Sequence, residues 1–286
     1  MSLSDAQIKD LELKANSIRQ SIIEMLAEAK SGHTAGPLGM ADIFTALYFH
    51  ILNHDPKHPE WDGRDRLILS NGHIVPVRYA TMAHAGYFPV EELKTLRKFG
   101  SRLQGHPERE KLPGMETTSG PLGSGLSQAS GIALGLRMDN RKERVYCLMS
   151  DGELDEGNSW EAIMFAGNQK LHNLTAIIDR NNIQIDGMTE NVMPLEPLAD
   201  KWRAFNWHVI EINGHDFNEI VSAVETAKTI VEKPTVIIAH TIPGKGIKEI
   251  EGDYKWHGTP PNAEQADKWL TELRSIQEII EPGHLA

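Results

Sequence analysis

Five short apolar runs separated by helical patterns constrain this 286-residue chain more than any other feature. Residues 66–69, 145–149, 174–178, 208–212 and 235–239 read as strands, most without alternation of apolar and polar positions. Successive strand side chains point to opposite faces, so a continuous apolar run is buried on both. Strands of that kind belong to parallel sheets covered by helices on each side. Helical patterns occupy residues 4–30, 40–51, 90–99, 123–138, 156–170, 217–231 and 263–280. Together they predict an α/β fold, an open, doubly wound, mostly parallel sheet flanked by helices, over residues 1–286 as a single domain. In such sheets ligands bind beyond the C-terminal ends of the strands, which makes the residues after each strand the ones to inspect.

Two local features refine this. Ser4 with Gln7 three residues on predicts a capping box at the first helix, and a glycine-rich turn over residues 31–39 follows that helix. The segment 123–138 carries Gly125, Ser127, Ala129, Ser130, Gly131, Ala133 and Gly135. Glycine in a helix costs about 1 kcal/mol relative to alanine. A tight helix or subunit contact explains the pattern, with sequence drift as the competing account.

Composition narrows the partners. Net charge is −11, with 29 Lys plus Arg against 40 Asp plus Glu. That balance argues against a nucleic-acid or anionic-membrane surface, which needs clustered positive charge. A phosphate site built from backbone amides and a few histidines stays open. The single cysteine, Cys147, lies inside an apolar run and reads as a buried strand residue. No segment approaches the roughly 18 apolar residues of a membrane span, and no signal segment opens the chain. A reducing, cytoplasmic setting is expected.

The strongest chemical signal follows the second apolar run. Ser150-Asp-Gly-Glu153 ends that strand, and Asp179-Arg-Asn-Asn182 ends the next one. Asp151 and Asn181 thus offer hard oxygen donors at neighbouring strand ends, which suits Mg²⁺ completed by phosphate oxygens and water. The helix opening near Glu156 would add N–H groups facing a diphosphate. An Asp-Gly turn beside an unrelated Asn-rich turn is the plainer alternative. Four histidines, His33, His73, His106 and His257, each stand beside glycine in a loop. Their wide separation, without a cysteine cluster, argues against zinc. His54 and His58 have a ligand-like spacing but lie in a Pro-containing polar loop, which also speaks against a metal site.

The strand–Asp-Gly–helix–strand–Asn-Asn arrangement resembles the thiamine-diphosphate motif. Further segments extend the likeness: Ser31-Gly-His-Thr-Ala-Gly-Pro-Leu-Gly-Met40, Leu69-Ser-Asn-Gly-His73, Gly100-Ser-Arg-Leu-Gln-Gly-His-Pro107, Thr117-Thr-Ser-Gly-Pro-Leu-Gly-Ser-Gly125 and Lys255-Trp-His-Gly258. In this order they resemble the transketolase family, in its N-terminal, thiamine-diphosphate-binding half, over roughly residues 5–275. The resemblance implies thiamine diphosphate with Mg²⁺, or Ca²⁺ or Mn²⁺ in its place, as cofactors. It implies Asp151, Asn181 and the Ile183 carbonyl as metal ligands. His73, Gly152, Glu153, Asn181 and His257 would contact the cofactor, and Gly120, Pro121 and Leu122 would support its rings. His33, His106 and His257 would line the substrate channel and move protons. Glu156 and Glu161 match carboxylates at the family's subunit interface. Two departures stand out: Ser150 replaces the usual first glycine, and Thr34-Ala35-Gly36 replaces the usual Pro-Gly-Ala, which puts the fine geometry of the His33 loop in question.

The implied activity is transfer of a two-carbon ketol unit between sugar phosphates, as in the pentose phosphate pathway. Full transketolases carry a second domain with the glutamate that protonates the cofactor's aminopyrimidine, and no such domain fits after Lys268. The expectation is a split enzyme, active only with a C-terminal subunit bearing that glutamate, in a heterotetramer. A truncated piece of a longer enzyme would look the same. A 1-deoxyxylulose-5-phosphate synthase-like enzyme, a 2-oxoacid dehydrogenase component, a sulfo- or branched-sugar transketolase, and a non-catalytic cofactor-binding module are the other readings.

Overall fold

The computed structural model describes residues 3–281. Five strands, β1 (Arg66–Leu69), β2 (Val145–Ser150), β3 (Leu174–Arg180), β6 (His208–Asn213) and β7 (Thr235–His240), form one sheet in the order β1-β2-β3-β7-β6. Every pairing in it is parallel. A two-stranded antiparallel hairpin, β4 (Ile183–Gln184) with β5 (Gly187–Met188), follows β3 and leads into the single-turn helix α7 (Thr189–Val192).

Longer helices cover both faces. On one side lie α1 (Asp5–Ala29), α2 (Ala35–Gly39), α3 (Ala41–Ala46), α4 (Val75–His84), α9 (Phe217–Thr229) and α10 (Ala263–Ile280), packed on Leu67, Leu69, Tyr146, Leu148 and Ile237. On the other lie α5 (Ser124–Met138), α6 (Gly157–Asn168) and α8 (Leu198–Ala204), packed on Ile68, Val145, Cys147, Met149, Ile178 and Ile238. Alternate residues of one strand therefore enter opposite cores, which is why the apolar runs are continuous. Burial pushes the Cys147 thiol pKa up and keeps it protonated. The Ser4–Gln7 capping box is present at α1. No helix among the described residues is long and apolar enough to cross a membrane.

Several local expectations change. The pattern at 40–51 is α3 followed by a π-helical turn, Leu47–Ile51. Residues 90–99 form a 3-10 turn, Val90–Thr95, halted where Arg97 enters the left-handed region at φ 61°. The glycine-rich turn contains α2. Helix α4 left no amphipathic signal because residues 75–83 are all buried, so it has no polar face. Its proline sits in the first turn, where a missing N–H costs nothing. The strands β2, β3, β6 and β7 run one or two residues beyond their apolar runs, because backbone pairing continues through polar side chains such as Ser150 and Asp179.

Helix α5 separates two kinds of glycine. A Cβ on Gly125 would sit 2.6 Å from the Ser70 backbone, closer than real Cβ contacts come, whereas Gly131 and Gly135 have nothing within 4 Å. Close approach to the β1 end explains Gly125, and no contact within the chain explains the other two. Gly131→Ala should stabilise the isolated chain by about 0.5–1 kcal/mol. Gly125→Ala should instead lower the urea midpoint, because neither backbone can yield.

Candidate functional site

Parallel pairing sets the site. Ser150 lies opposite Asp179 in the β2–β3 register, so Asp151 and Asn181 leave the sheet at the same edge. A cavity of about 330 Å³ opens there. It is lined by His33, His73, His106, Gly120, Leu122, Ser150, Gly152, Glu153, Asn181, Ile183, Gln184, Ile185, Asp186 and His257. Of the sequence candidates, Pro121 and Asp151 do not line it: Pro121 is exposed, and Asp151 is fully buried immediately before Gly152. The larger surface groove beside Trp61 has only Asp55, His58 and Glu60 as polar side chains.

The oxygen donors are fixed by their neighbours. Asp151 Oδ1 accepts from the Gly152 amide at 2.8 Å, and Oδ2 accepts from the Asn182 amide at 2.7 Å and Arg180 Nη1 at 3.0 Å. Burial pushes the Asp151 carboxyl up, and the Arg180 guanidinium and these amides pull it back. Asn181 donates through Nδ2 to Asp179 Oδ2 at 2.7 Å, so its carboxamide oxygen faces the other way, where it accepts from the Ile183 amide at 3.0 Å. Asp179 also accepts from Thr241 Oγ1, and burial raises its carboxyl to about 7. One carboxylate, one carboxamide and a following backbone carbonyl make a hard-oxygen set suited to a small divalent cation that keeps water and phosphate ligands. No group of three or more His, Cys, Asp or Glu forms a denser metal cluster among the described residues.

The segment after β2 takes an unexpected form. Between β2 and α6 stands a 3-10 turn, Gly152–Asp155, and its Gly152 and Glu153 line the cavity. The opening of α6 contributes no lining residue, contrary to the expectation placed on Glu156. The turn takes up the first residues after β2 and is tied to the helix by Ser159 Oγ, which donates to the Glu153 carbonyl at 3.1 Å. Glu156 and Glu161 are exposed.

Glu153 knits three loops together. Its Oε1 accepts from Ser70 Oγ and from the Gly123 amide at 2.6 Å, and its Oε2 accepts from the Ser150 amide at 3.2 Å. Gly123 is left-handed at φ 79°, and a Cβ there would meet Asn158 Oδ1 at 1.9 Å, so only glycine brings the start of α5 this close. Burial lifts the Glu153 carboxyl to about 7.

The histidines, distant in sequence, converge. Ring centroids of His33 and His73 lie 4.7 Å apart, His33 and His257 5.3 Å, and His73 and His257 5.2 Å. Thr34 Oγ1 donates to the Thr259 carbonyl at 2.6 Å, which joins the His33 and His257 loops. His106 stands across the cavity beside Gly120. Burial lowers all four pKa values: His33 falls to about 4, and His73 falls well below the ordinary value of 6.5. The rings are therefore neutral at physiological pH. His33 Nδ1 and His257 Nδ1 are buried without a hydrogen-bond partner.

A family profile for the transketolase thiamine diphosphate binding domain matches residues 11–274. The chain belongs to the transketolase family. Among its relatives, a 6-deoxy-6-sulfo-D-fructose transketolase subunit of Clostridium sp. (strain MSTE9) is 45% identical over 271 residues, 95% of this chain and 98% of that protein. One of the subunits of the apulose-4-phosphate transketolase of Phocaeicola vulgatus is 43% identical over 276 residues, 96% of this chain and 98% of that protein. The crystal structure of the Campylobacter jejuni transketolase matches with a TM-score of 0.85 at 36% identity, covering 100% of this chain and 47% of that one. The chain thus spans about half the length of the transketolase structures it matches.

In this transketolase-family domain, Gln184, Ile185 and Asp186 were not singled out from sequence. They come from the β4–β5 hairpin, whose trace was the Asp186-Gly187 pair after a short apolar run. Ser70 was likewise missed, because a hydroxyl beside a strand end carries no pattern of its own.

The His33 pKa carries a stability consequence. Its folded value, about 4, lies below the unfolded 6.5, so the neutral ring stabilises the fold above pH 6.5 and that stability drains as pH falls towards 4. His33→Gln should flatten this acid limb in urea unfolding, by about 3 kcal/mol at most.

Proposed function

We propose that this chain is the thiamine-diphosphate-binding subunit of a two-part transketolase, moving a two-carbon ketol unit from a ketose to an aldose. The observation that carries the reading is the convergence of four histidines, Asn181 and the Gly152 turn on one cavity, with Asp151 buried immediately before Gly152. The family match over the same residues supports it. Thiamine diphosphate, when bound, supplies the carbanion chemistry and the electron sink.

The chain's own residues bind and position. Asp151, the Asn181 carboxamide oxygen and the Ile183 carbonyl hold a magnesium ion, for which Ca²⁺ or Mn²⁺ can substitute. His73, His257 and the Gly152–Glu153 backbone meet the diphosphate. Gly120 and Leu122 flank the rings, with Pro121 outside the cavity on this chain. His33, His106 and His257 face the sugar oxygens. As neutral imidazoles they can take a hydroxyl proton or donate to a carbonyl oxygen without first losing a charge.

The glutamate that acts on the aminopyrimidine belongs to a C-terminal partner subunit, in an assembly of two chains of each kind. The exposed Glu156 and Glu161 face that assembly. Its setting is the cytoplasm. The substrate class follows the relatives: one is named for a sulfonated fructose and others for apulose 4-phosphate. Such names favour a modified or branched sugar over the ordinary pentose phosphates.

Two outcomes test this. The purified chain should turn over no ketose donor and should gain activity when mixed with its C-terminal partner, in an assay comparing xylulose 5-phosphate, a sulfonated ketose and pyruvate as donors. Robust turnover by the chain alone, or a preference for pyruvate, would overturn it. In the assembled enzyme, His33→Ala should lower kcat by about 100-fold or more. Cofactor affinity measured by calorimetry should change far less.

A further inference from the structure

Arg180 ends β3 next to Asn181 and has no place among the groups that meet cofactor or sugar. Its side chain is 3% exposed yet meets three carboxylates. Nη1 donates to Asp151 Oδ2 at 3.0 Å. Nη2 donates to Glu190 Oε1 at 2.7 Å and to Glu196 Oε1 at 2.8 Å. Both glutamates are held in turn: Glu190 Oε1 accepts from the Leu195 amide at 3.1 Å, and Glu196 Oε2 accepts from the Leu198 amide at 2.8 Å. One planar fork therefore joins the buried carboxylate at the β2 end to the segment that returns from the β4–β5 hairpin. That hairpin supplies Ile183 to Asp186 of the cavity wall.

The charge arrangement is specific. A guanidinium paired with Asp151 alone would cancel the charge a cation needs. Here Glu190 and Glu196, with side chains 38% and 57% exposed, share the guanidinium with Asp151. The two outer carboxylates would be superfluous if Arg180 only neutralised a buried acid.

We propose that Arg180, with Glu190 and Glu196 behind it, is the positioning element of the cation–diphosphate site. It fixes the Asp151 carboxylate in one orientation. It also clamps residues 183–196 so that the Asn182 amide and the Ile183 carbonyl stay at the cavity edge. The inference rests on the proposal that Asp151 and Asn181 hold a divalent cation. Partners one step behind a metal ligand typically affect affinity by about 10–100-fold. A lysine offers one point of attachment where arginine offers a fork.

The test is calorimetric titration of the full chain, alone and with its partner subunit, with Mg²⁺ and thiamine diphosphate, beside amide hydrogen exchange of residues 183–196. Arg180→Met should weaken Mg²⁺ binding about 10–100-fold and speed exchange across that segment even without cofactor. Arg180→Lys should recover thermal stability but not Mg²⁺ affinity. Glu196→Gln, a change at an exposed side chain that leaves the core intact, should weaken Mg²⁺ binding several-fold in the same direction. Unchanged or tighter Mg²⁺ binding in Glu196→Gln or Arg180→Met, or full recovery of affinity by Arg180→Lys, would overturn the proposal while leaving the site assignment standing. A wild-type chain that binds neither ligand in either state would sink the assignment and this inference with it.

Discussion

The parallel pairing of β2 with β3 is the constraint from which the whole site follows. Because Ser150 stands opposite Asp179, whatever follows either strand emerges at one edge of the sheet. An antiparallel pair would send the two chain continuations to opposite edges, and no amount of loop adjustment would bring Asp151 and Asn181 together. The burial of both sheet faces makes this register hard to change, since a one-residue slip would exchange the sets of side chains facing the two cores. The chemistry is thus anchored in the packing of Cys147, Leu148, Ile177 and Ile178, none of which touches the cavity.

Around that edge, the site is built from groups held in costly environments. Four imidazoles are kept neutral by burial, and two carboxyls, those of Glu153 and Asp179, are lifted to about 7. Each of these acids is tied to several donors, and each fixes something else. Glu153 holds the β1 end, the start of α5 and the β2 end in one place. Asp179 settles which end of the Asn181 carboxamide points outward. Titratable groups forced away from their ordinary pKa values concentrate at functional sites, because preorganisation there is worth the stability it costs. Gly125 has the same logic, with helix propensity given up for close approach to the Ser70 backbone, and Gly123 supplies the left-handed residue that precedes α5.

In the proposed reading, this chain supplies one part of a shared site. The cavity holds the Asn181 carboxamide and four imidazoles beyond the strand ends. The chain matches about half of the transketolase structures it resembles, while relatives named as subunits match it over nearly their whole length. The proposed division of labour follows: this chain grips the diphosphate, and a partner addresses the ring at the other end.

The order of residues alone points to the sheet, because continuous apolar runs of four or five residues are too short for a helix and fit a strand buried on both faces, although the edge strand β6 leaves Glu211 exposed. It also dictates the donors at the strand ends, since Asp-Gly and Asn-Asn after such runs mark where the backbone leaves the sheet. It is silent wherever burial is uniform or pairing is local. Helix α4 has no polar face to betray it, the β4–β5 hairpin is two residues long on each side, and a 3-10 turn before α6, not the opening of α6 itself, lines the cavity. The meeting of His33, His73 and His257 is settled in three dimensions alone. Residues far apart along the chain come together only once the loops after different elements are packed against one another, and no local pattern records that encounter. The same holds for Arg180: its place in the chain is plain, but the three carboxylates that give its charge a purpose are assembled by the fold.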